Sequence, residues 1–257
     1  LSTVLSQEME RYNLVLSKMN TSLHELQRAI KGEVLMSDEL DNMYICFTNN
    51  VVPDNWALVA YPSLKPLASW FLNLIARVEF MQSWLVNGRP KVFALPYVYF
   101  PQGFMTGALQ NHARKYQLPI DELQFTYEIR REEGPEDVLD ENMPDDGVLC
   151  NGLYLDGARW DRELQCINDS LPGKLYDQMP VIHFLPNQDL TKAQIWEYED
   201  SGAYPCPTYK TSTRSGALST TGMSTNYILP VDIPTPEGRG PSYWILQGVA
   251  MLCALND

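Results

Sequence analysis

Apolar side chains near the start of the chain recur at alternating spacings of four and three residues. The residues in this series are Leu5, Met9, Tyr12, Leu16, Met19, Leu23, Leu26 and Ile30. Such a 3.5-residue repeat predicts one long helix, about 40 Å in length, that ends at Lys31 and Gly32. The apolar seam could pair with another chain as a coiled coil or lie across neighbours in its own bundle. The second interpretation is favoured, because further apolar helices follow at once.

Three more helical segments follow in the first half. Ser37 is a typical N-cap, and Asp38 and Glu39 suit the positive end of the helix dipole behind it. Pro66 at a first position and Gly88 past the end bound a helix with apolar residues around much of its circumference. A last amphipathic stretch covers Gln102–Tyr116, after a proline-broken aromatic segment at 91–100. The first half is therefore predicted to be a helical bundle.

From Leu123 the period of the pattern changes from 3.6 to 2, which predicts strands. Alternation over 123–130 predicts one strand, and further strands are predicted over 148–155 and 179–185. Asp156-Gly157 predicts a two-residue hairpin that returns through Ala158 and Trp160. Tyr204–Pro207 fits only an edge strand or a bend, because neither proline can donate to a ladder. Tyr243–Leu255 is apolar at both parities, which predicts a final strand covered on both faces.

Helices followed by strands indicate the α+β class. We predict a helical subdomain over 1–120 and an antiparallel, barrel-like β subdomain over 121–257. The second contains a loop over 132–146, expected to be mobile, with eight acidic residues and no Lys or Arg.

Net charge separates the two halves. Residues 1–131 carry 12 Lys/Arg and 12 Asp/Glu, whereas residues 132–257 carry 7 and 20, so the whole imbalance of −13 lies in the second half. A phosphate backbone would be repelled by this surface, which argues against nucleic acid as a partner. Direct docking on an acidic filament is disfavoured for the same reason.

The cysteines and the apolar runs indicate the redox environment of the chain and its relation to membranes. Five cysteines are scattered without a CxxC, which favours buried thiols in a reducing compartment over disulfides or zinc. No apolar run reaches the roughly 20 residues of a membrane helix, so no membrane partner is predicted. The chain begins with Leu1 and has no leader pattern, which suggests a segment of a longer protein.

Candidate catalytic residues are few. His112 and His183 could act as bases, but each lies on an apolar face, where a packing role is the commoner one. Asp156 and Asp161 could form a carboxylate pair, but they flank the Asp-Gly turn, which explains them without chemistry. The GxxxxGK phosphate loop, GxGxxG, HExxH and GxSxG are missing. We predict no catalytic, cofactor-binding or metal-binding residues.

A hydroxyl-rich run over 208–225 contains ten Ser or Thr among eighteen residues, with Lys210 and Arg214 between them. It predicts either a hydroxyl-lined hairpin surface or a contact face for a partner.

Several residue strings resemble the C-terminal domain of dynein heavy chains, and together they span nearly the whole chain. They are STVLSQEMERYNLVLSKMNTSLHELQRAI (2–30), YPSLKPLASW (61–70), TGALQNHARKY (106–116), GLYLDGARWD (152–161), LYDQMPVI (175–182), YKTSTRSGALSTTGMSTN (209–226) and WILQGVAMLCAL (244–255). The fourth and sixth resemble the axonemal branch, and the last is similar to the family's final strand. Ala94, Pro96, Tyr97 and Met223 depart from the family's usual residues.

The resemblance implies a place in a larger motor. In that family six AAA+ modules form a ring that binds ATP and Mg²⁺, a separate stalk grips the microtubule, and the C-terminal domain lies on one face of the ring. It therefore implies a non-catalytic domain that modulates motility in the cytoplasm, at the axoneme of cilia or flagella. The implied partners are its own ring, dynein intermediate and light chains, and microtubules. The alternative is a free-standing adaptor or scaffold that binds partners through the helix over 5–30 and the acidic loop.

Overall fold

The helices occupy mainly the first half of the chain, as the periodicity predicts. A computed structural model describes residues 1–188, 202–218 and 224–255. The helices in these ranges are α1 (Ser2–Ile30), α2 (Asp38–Thr48), α3 (Asp54–Ala57), α4 (Leu67–Asn87), α5 (Pro101–Tyr116) and α6 (Pro241–Leu246).

The strands follow in the second half, apart from one short strand before α5. They are β1 (Val92–Ala94), β2 (Gln124–Ile129), β3 (Val148–Asn151), β4 (Tyr154–Asp156), β5 (Arg159–Asp161), β6 (Cys166–Asn168), β7 (Tyr176–Gln178), β8 (Ile182–Asn187), β9 (Ala203–Thr211), β10 (Tyr227–Pro234) and β11 (Ala250–Ala254). The α+β class is confirmed.

The chain divides into two compact units. One consists mainly of Ser2–Gly88 and contains α1 to α4, and the other consists mainly of Arg89–Ala254. Helix α5 therefore belongs to the strand-rich unit. The domain ranges 1–120 and 121–257 stay a prediction.

Helix α1 buries a seam with heptad spacing, but not the whole of the predicted one. Leu5, Tyr12, Met19 and Leu26 are buried, as expected. The other half of the seam is formed by residues that the apolar pattern did not include: Glu8, Val15, Ser22 and Ala29. Leu16, Leu23 and Ile30 are exposed, and Met9 is half-buried. We call Met9, Leu16, Leu23 and Ile30 the outer stripe of α1.

The other helices of this unit begin and end where their capping residues indicate. The Ser37 side chain accepts a hydrogen bond from the backbone N–H of Leu40, at 3.3 Å, and so caps α2. Pro66 occupies the N-cap position of α4, one residue before the first position predicted for it, and it makes no side-chain capping bond; Gly88 at φ 86° ends the helix. Arg77 of α4 is buried and satisfied inside the bundle, because its guanidinium donates to the hydroxyl of Tyr12 and lies 3.6 Å from the ring centre of Tyr61.

The described strands form three sheets. Their orders are β1-β3-β8-β2, β10-β9-β11-β4-β7 and β5-β6. The predicted antiparallel barrel is not confirmed, because these sheets are not closed and two pairs, β1 with β3 and β11 with β9, are parallel.

The strand predicted over 148–155 is two strands in different sheets. Gly152, at φ 82°, separates β3 from β4, and a Cβ there would lie 2.7 Å from the ring of Pro96. The hairpin predicted at Asp156-Gly157 is also wrong. The chain turns there, with Gly157 at φ 81°, but β4 pairs with β11 and β7, whereas β5 pairs with β6. The turn moves the chain from one sheet to another.

Strand β9 accommodates two prolines because its first part has one described neighbour. Pro205 and Pro207 lie opposite Asp232 and Pro230 of β10, and the pairing with β11 begins only at Thr208. A proline has no N–H group to donate, and here no second described strand lies beside it to require that hydrogen bond. Locally this is the edge position that the prolines predict.

The final segment is a helix and a strand, not the single strand predicted over 243–255. Pro241 opens α6, which ends at Leu246, and Gly248 at φ 67° reverses the chain into β11. The pattern could not separate them, because Trp244 on the helix and Ala250–Cys253 on the strand are all buried. Apolar residues at both odd and even positions fit a buried helix as well as a buried strand.

The acidic stretch 132–146 is irregular, as predicted, but it is anchored. It contains two 3₁₀ turns, and Val138 is 2% exposed in a cluster with Val92, Leu149 and Val181. The backbone N–H of Val181 also donates to the carbonyl of Glu132, at 2.8 Å. The packing of Val138 and the hydrogen bond to Glu132 therefore oppose the mobility predicted for this loop.

The five cysteines are thiols and do not form disulfides. Cys150, Cys166, Cys206 and Cys253 are buried, and Cys46 is half-buried. Within the described residues, none of the helices is both long and apolar enough to cross a bilayer.

Candidate functional site

A group of polar side chains in the strand-rich unit surrounds the carboxylate of Asp146, at the end of the acidic stretch. Lys115 donates to its Oδ1 atom at 2.6 Å, and the hydroxyl of Tyr116 donates to Oδ2 at 2.5 Å. The Nδ1 atom of His112 lies 3.7 Å from the same Oδ1. These three side chains belong to the last turns of α5. With His183 they form what we call the Asp146 cluster.

The backbone on both sides of this carboxylate is held as well. His183 donates from Nε2 to the carbonyl of Asp146 at 2.9 Å, since a carbonyl oxygen can only accept. Lys115 also donates to the carbonyl of Asp145 at 3.2 Å, and Arg89 to that of Gly147 at 2.9 Å. The cluster therefore fixes the point where the acidic stretch joins β3.

The electrostatics favour an ionised Asp146. Burial alone would raise the pKa of Asp146, but the hydrogen bonds from Lys115 and Tyr116 outweigh it and hold the pKa below its ordinary value. The hydrogen bond to Asp146 in turn raises the pKa of Lys115. Burial lowers the pKa of Arg89. Asp146 and Lys115 therefore form an ion pair at neutral pH.

The cluster borders a cavity of about 200 Å³, lined by Asn111, His112, Lys115 and Asp146 among others. Within the described residues, Nδ1 of His112 has no hydrogen-bond partner. At 3.7 Å this imidazole and the carboxylate are beyond the hydrogen-bond distance that proton transfer requires. All the observed hydrogen bonds hold the end of the acidic stretch, so we interpret the cluster as an anchor. The structure thus brings His112 to the carboxylate and His183 to the backbone carbonyl of Asp146, which neither lone histidine predicts.

Asp156 and Asp161 do not act as a pair in this arrangement. Asp156 accepts from Arg214 at 2.6 Å. Asp161 accepts from the backbone N–H groups of Glu163 and Leu164, both at 3.1 Å. The bond from Leu164 is the main reason why the pKa of Asp161 is lowered. Each carboxylate holds a different turn, which supports the interpretation of both as turn residues.

The hydroxyl-rich run is partly described. Its first threonines, Thr208 and Thr211, are buried in β9, and Leu218 and Ser224 form an antiparallel bridge. Arg214 adopts φ 56° and donates to the carbonyl of Gly248 at 2.7 Å as well as to Asp156. Residues 219–223, including Met223, lie outside the described residues. Whether the run is a contact face stays a prediction.

Exposed apolar side chains lie on several helices of the helical unit, with the larger sets on α1 and α4. One set is the outer stripe of α1, in which Ile30 is 60% exposed. The other lies on α4 away from the centre of its buried face and consists of Phe71, Leu72, Ile75, Leu85 and Val86. Apolar exposure on this scale is typical of surfaces that contact another protein segment.

Sequence reasoning missed the partners of these carboxylates. It placed Lys115 in a helix end and Asp146 in a loop, but no spacing relates the two. It also missed Asp177, which is 4% exposed and accepts from the backbone N–H of Trp160 and from Lys174. A short strand of mixed polarity around Asp177 gave no signal.

Comparisons with known proteins identify relatives over the full chain. The family described as the C-terminal domain of the dynein heavy chain matches residues 1–253. Dynein axonemal heavy chain 6 of Homo sapiens is 45% identical over 275 residues, and dynein axonemal heavy chain 3 of Homo sapiens is 44% identical over 257. Dynein axonemal heavy chain 1 of Mus musculus is 44% identical over 256 residues. Each alignment covers 100% of this chain and 6% of the relative. The chain thus spans a small part of the proteins it matches.

Proposed function

Since the chain belongs to the family of C-terminal domains of dynein heavy chains, we propose that it is the non-catalytic C-terminal domain of an axonemal dynein heavy chain. In this role it packs on the AAA+ ring of its own heavy chain and modulates microtubule-based movement at the axoneme. ATP and Mg²⁺ are bound by the ring and not by this segment. Intermediate chains, light chains and microtubules are partners of the parent complex.

The observation that carries the packing role is the apolar exposure of α1 and α4. Leu16, Leu23 and Ile30 are 38%, 36% and 60% exposed, and they recur at a spacing of seven along one helix. A heptad stripe of this kind is suited to contact with another helix. The chain spans 6% of its relatives, so the rest of such a heavy chain offers ample surface to cover the stripe.

We propose that the domain acts as a brace. A rigid body that contacts more than one ring module makes relative rotation of those modules cost free energy, and it thereby couples nucleotide state to mechanical output. Helix α1 has 29 residues and is about 43 Å long, which is sufficient to reach between neighbouring modules. Strand β11 is not available for such a contact, because it pairs with β4 and β9 along its two edges and Ala250–Cys253 are buried.

The test replaces Leu16, Leu23 and Ile30 by serine in the complete heavy chain. If the outer stripe contacts the ring, ATP turnover continues while gliding velocity and stall force change, because the two become less tightly coupled. The matched control replaces Asn13, Asn20 and Gln27 by serine, since these residues are exposed on the same helix with the same spacing. Identical turnover, velocity and force in both variants and the wild type would contradict the proposal.

A further inference from the structure

The sequence contains two Asn-Gly pairs, and the structure places them in contrasting surroundings. Asn87-Gly88 lies at the end of α4, and Asn151-Gly152 at the end of β3. An asparagine before glycine can lose its amide without an enzyme, because glycine has no side chain to shield the backbone nitrogen that attacks the amide. In a folded protein the reaction depends on how freely that nitrogen and the amide can approach each other.

The Asn87-Gly88 pair is open to solvent. Both residues are exposed, and a Cβ at Gly88 would have open space around it. Gly88 follows the last helical turn, and among the described residues its N–H group makes no hydrogen bond. Because the ends of helices open easily, the nitrogen of Gly88 can reach the amide of Asn87.

The Asn151-Gly152 pair is held in place. Asn151 pairs with Ala94 of β1, and its Oδ1 atom is buried. Gly152 lies against Pro96, whose ring would be 2.7 Å from a Cβ at this position. The end of β3 would have to detach before the amide of Asn151 could turn toward the nitrogen of Gly152. Deamidation here therefore requires local unfolding.

We infer that Asn87 is a site of spontaneous deamidation and that the fold protects Asn151. The nitrogen of Gly88 gives its proton to hydroxide and attacks Cγ of Asn87. The bond between Cγ and Nδ2 then breaks, the nitrogen takes up a proton and leaves as ammonia, and a succinimide ring remains. Water opens this ring at either carbonyl and yields aspartate or isoaspartate. The reaction exchanges an amide for a carboxylate and changes no oxidation state.

The product alters the point in the chain where one compact unit ends, at Gly88, and the other begins, at Arg89. Either product places a negative charge at the C-terminal end of α4, where the helix dipole disfavours it. Isoaspartate also routes the main chain through Cβ and so lengthens it by a carbon atom. The last turn of α4 should therefore be less stable in the aged protein, whether or not the domain acts as a brace.

Ser83 is positioned to slow this reaction. The Nδ2 atom of Asn87 donates to the hydroxyl of Ser83 at 3.1 Å, one turn earlier in α4. This contact directs the amide back along the helix and away from the nitrogen of Gly88. Since the hydrogen bond is exposed and weak, Ser83→Ala should accelerate deamidation only about twofold. An unchanged or slower rate would show that Ser83 does not hold the amide back.

The test incubates the 257-residue protein at mildly alkaline pH and follows both sites by peptide mapping with mass spectrometry. Chromatography separates the aspartate and isoaspartate peptides. We expect Asn87 to react at least about tenfold faster than Asn151. The rate at Asn87 should rise with pH, because the attacking nitrogen must lose its proton. In concentrated urea the two sites should react at similar rates, since the fold no longer protects Asn151.

Two substitutions of asparagine by glutamine test the assignment. Asn87→Gln keeps the amide but adds a methylene group, which disfavours ring closure, so the modification of this peptide should disappear. Asn20→Gln, at an exposed position of α1, is the control and should leave the rate at Asn87 unchanged. Equal rates at Asn87 and Asn151 in the folded protein would overturn the inference. So would an Asn87 that reacts in urea but stays unmodified in the folded protein.

Discussion

At the scale of single residues, Asp146 is the carboxylate with the largest set of ionic and hydrogen-bonding neighbours in the acidic stretch. We predict that Asp146→Asn lowers the free energy of unfolding by about 1–2 kcal/mol at pH 7, because it weakens the hydrogen bonds from Lys115 and Tyr116. The measurement is urea unfolding followed by tryptophan fluorescence. Asp145→Asn is the control, because this neighbouring side chain is exposed.

The same substitution has a defined pH dependence. The pKa of Asp146 is lowered in the folded chain, so its stabilisation is present above the ordinary aspartate pKa of about 4 and is lost as pH falls through the folded value. The difference between Asp146→Asn and the wild type should therefore shrink as pH falls below about 4 and vanish once pH is below the folded pKa of Asp146. A difference that is the same at pH 7 and pH 3 would show that the ionised carboxylate is not the stabilising group.

The sequence allowed only part of this residue-level description. It identified His112 and His183 as the histidines to examine, and it placed eight acids between Glu132 and Asp146. It could not bring Lys115 to Asp146, because the two residues are 31 positions apart and only the packing of α5 beside β3 and β8 unites them. Ion-pair partners in loops carry no periodic signal.

At the scale of elements, α1 has a heptad seam as predicted, but the buried face is rotated about the helix axis relative to the predicted one. Spacings of four and three describe Leu5, Met9 and Tyr12 as well as they describe Leu5, Glu8 and Tyr12. The apolar rule chose the first set, whereas the bundle buries the second. Tertiary contacts with α2, α3 and α4 decide between them, and small residues such as Ser22 and Ala29 allow these helices to approach.

Two adjacent substitutions test which face of α1 is buried. Val15→Ala should cost about 1–3 kcal/mol, because Val15 is completely buried and its loss leaves a cavity. Leu16→Ala should change the free energy of unfolding of the isolated domain by less than about 0.5 kcal/mol. The two values are obtained from urea unfolding monitored by circular dichroism. The reverse order would mean that the seam containing Leu16 is the packed one.

The turn before β3 depends on a glycine for two separable reasons. Gly147 and Gly173 both adopt φ 78°, but a Cβ on Gly147 would lie 2.3 Å from the carbonyl of Phe184, whereas Gly173 has open space. Gly173→Ala should therefore cost about 1–2 kcal/mol, the penalty of a left-handed backbone. Gly147→Ala should cost more, because the clash involves backbone. Equal thermal shifts for the two variants would contradict this account.

The strands were predicted better than their pairing. Alternation identified β2, the strand predicted over 179–185 overlaps β8, and the edge character of β9 followed from its prolines. The sheet to which each strand belongs was not predicted, because Gly152 and Gly157 send successive strands into different sheets. Alternation specifies which side chains share one face of a strand, but it does not specify which other strand pairs with it.

At the scale of the whole molecule, the division at Gly88 defines a clean truncation. A cut before Glu132 would leave β1 and β2 without β3 and β8, whereas a cut after Gly88 removes the strand-rich unit entirely. If the domain is a brace, a heavy chain ended after Gly88 still hydrolyses ATP and moves along microtubules, but with altered stall force and step size. Optical trapping and ATPase assays measure these quantities. Unchanged force and stepping would exclude a mechanical role for this unit.

The family was predictable from residue strings, and the class α+β from periodicity, but barrel closure was not. Closure depends on which strands meet at the ends of the sheets, and that property arises only when the chain is folded. The uneven distribution of charge between the two halves could be obtained from the sequence directly, because it requires only a count of the charged residues.

The central position of β11 has a consequence for how the protein is made. This strand lies between β4 and β9, yet a ribosome synthesises it after every other described element of the sheet. Until then the nascent polypeptide exposes two unpaired strand edges, which are sites for misassociation. A premature stop codon shortly before Ala250 would leave this gap permanently and should therefore yield an aggregation-prone product.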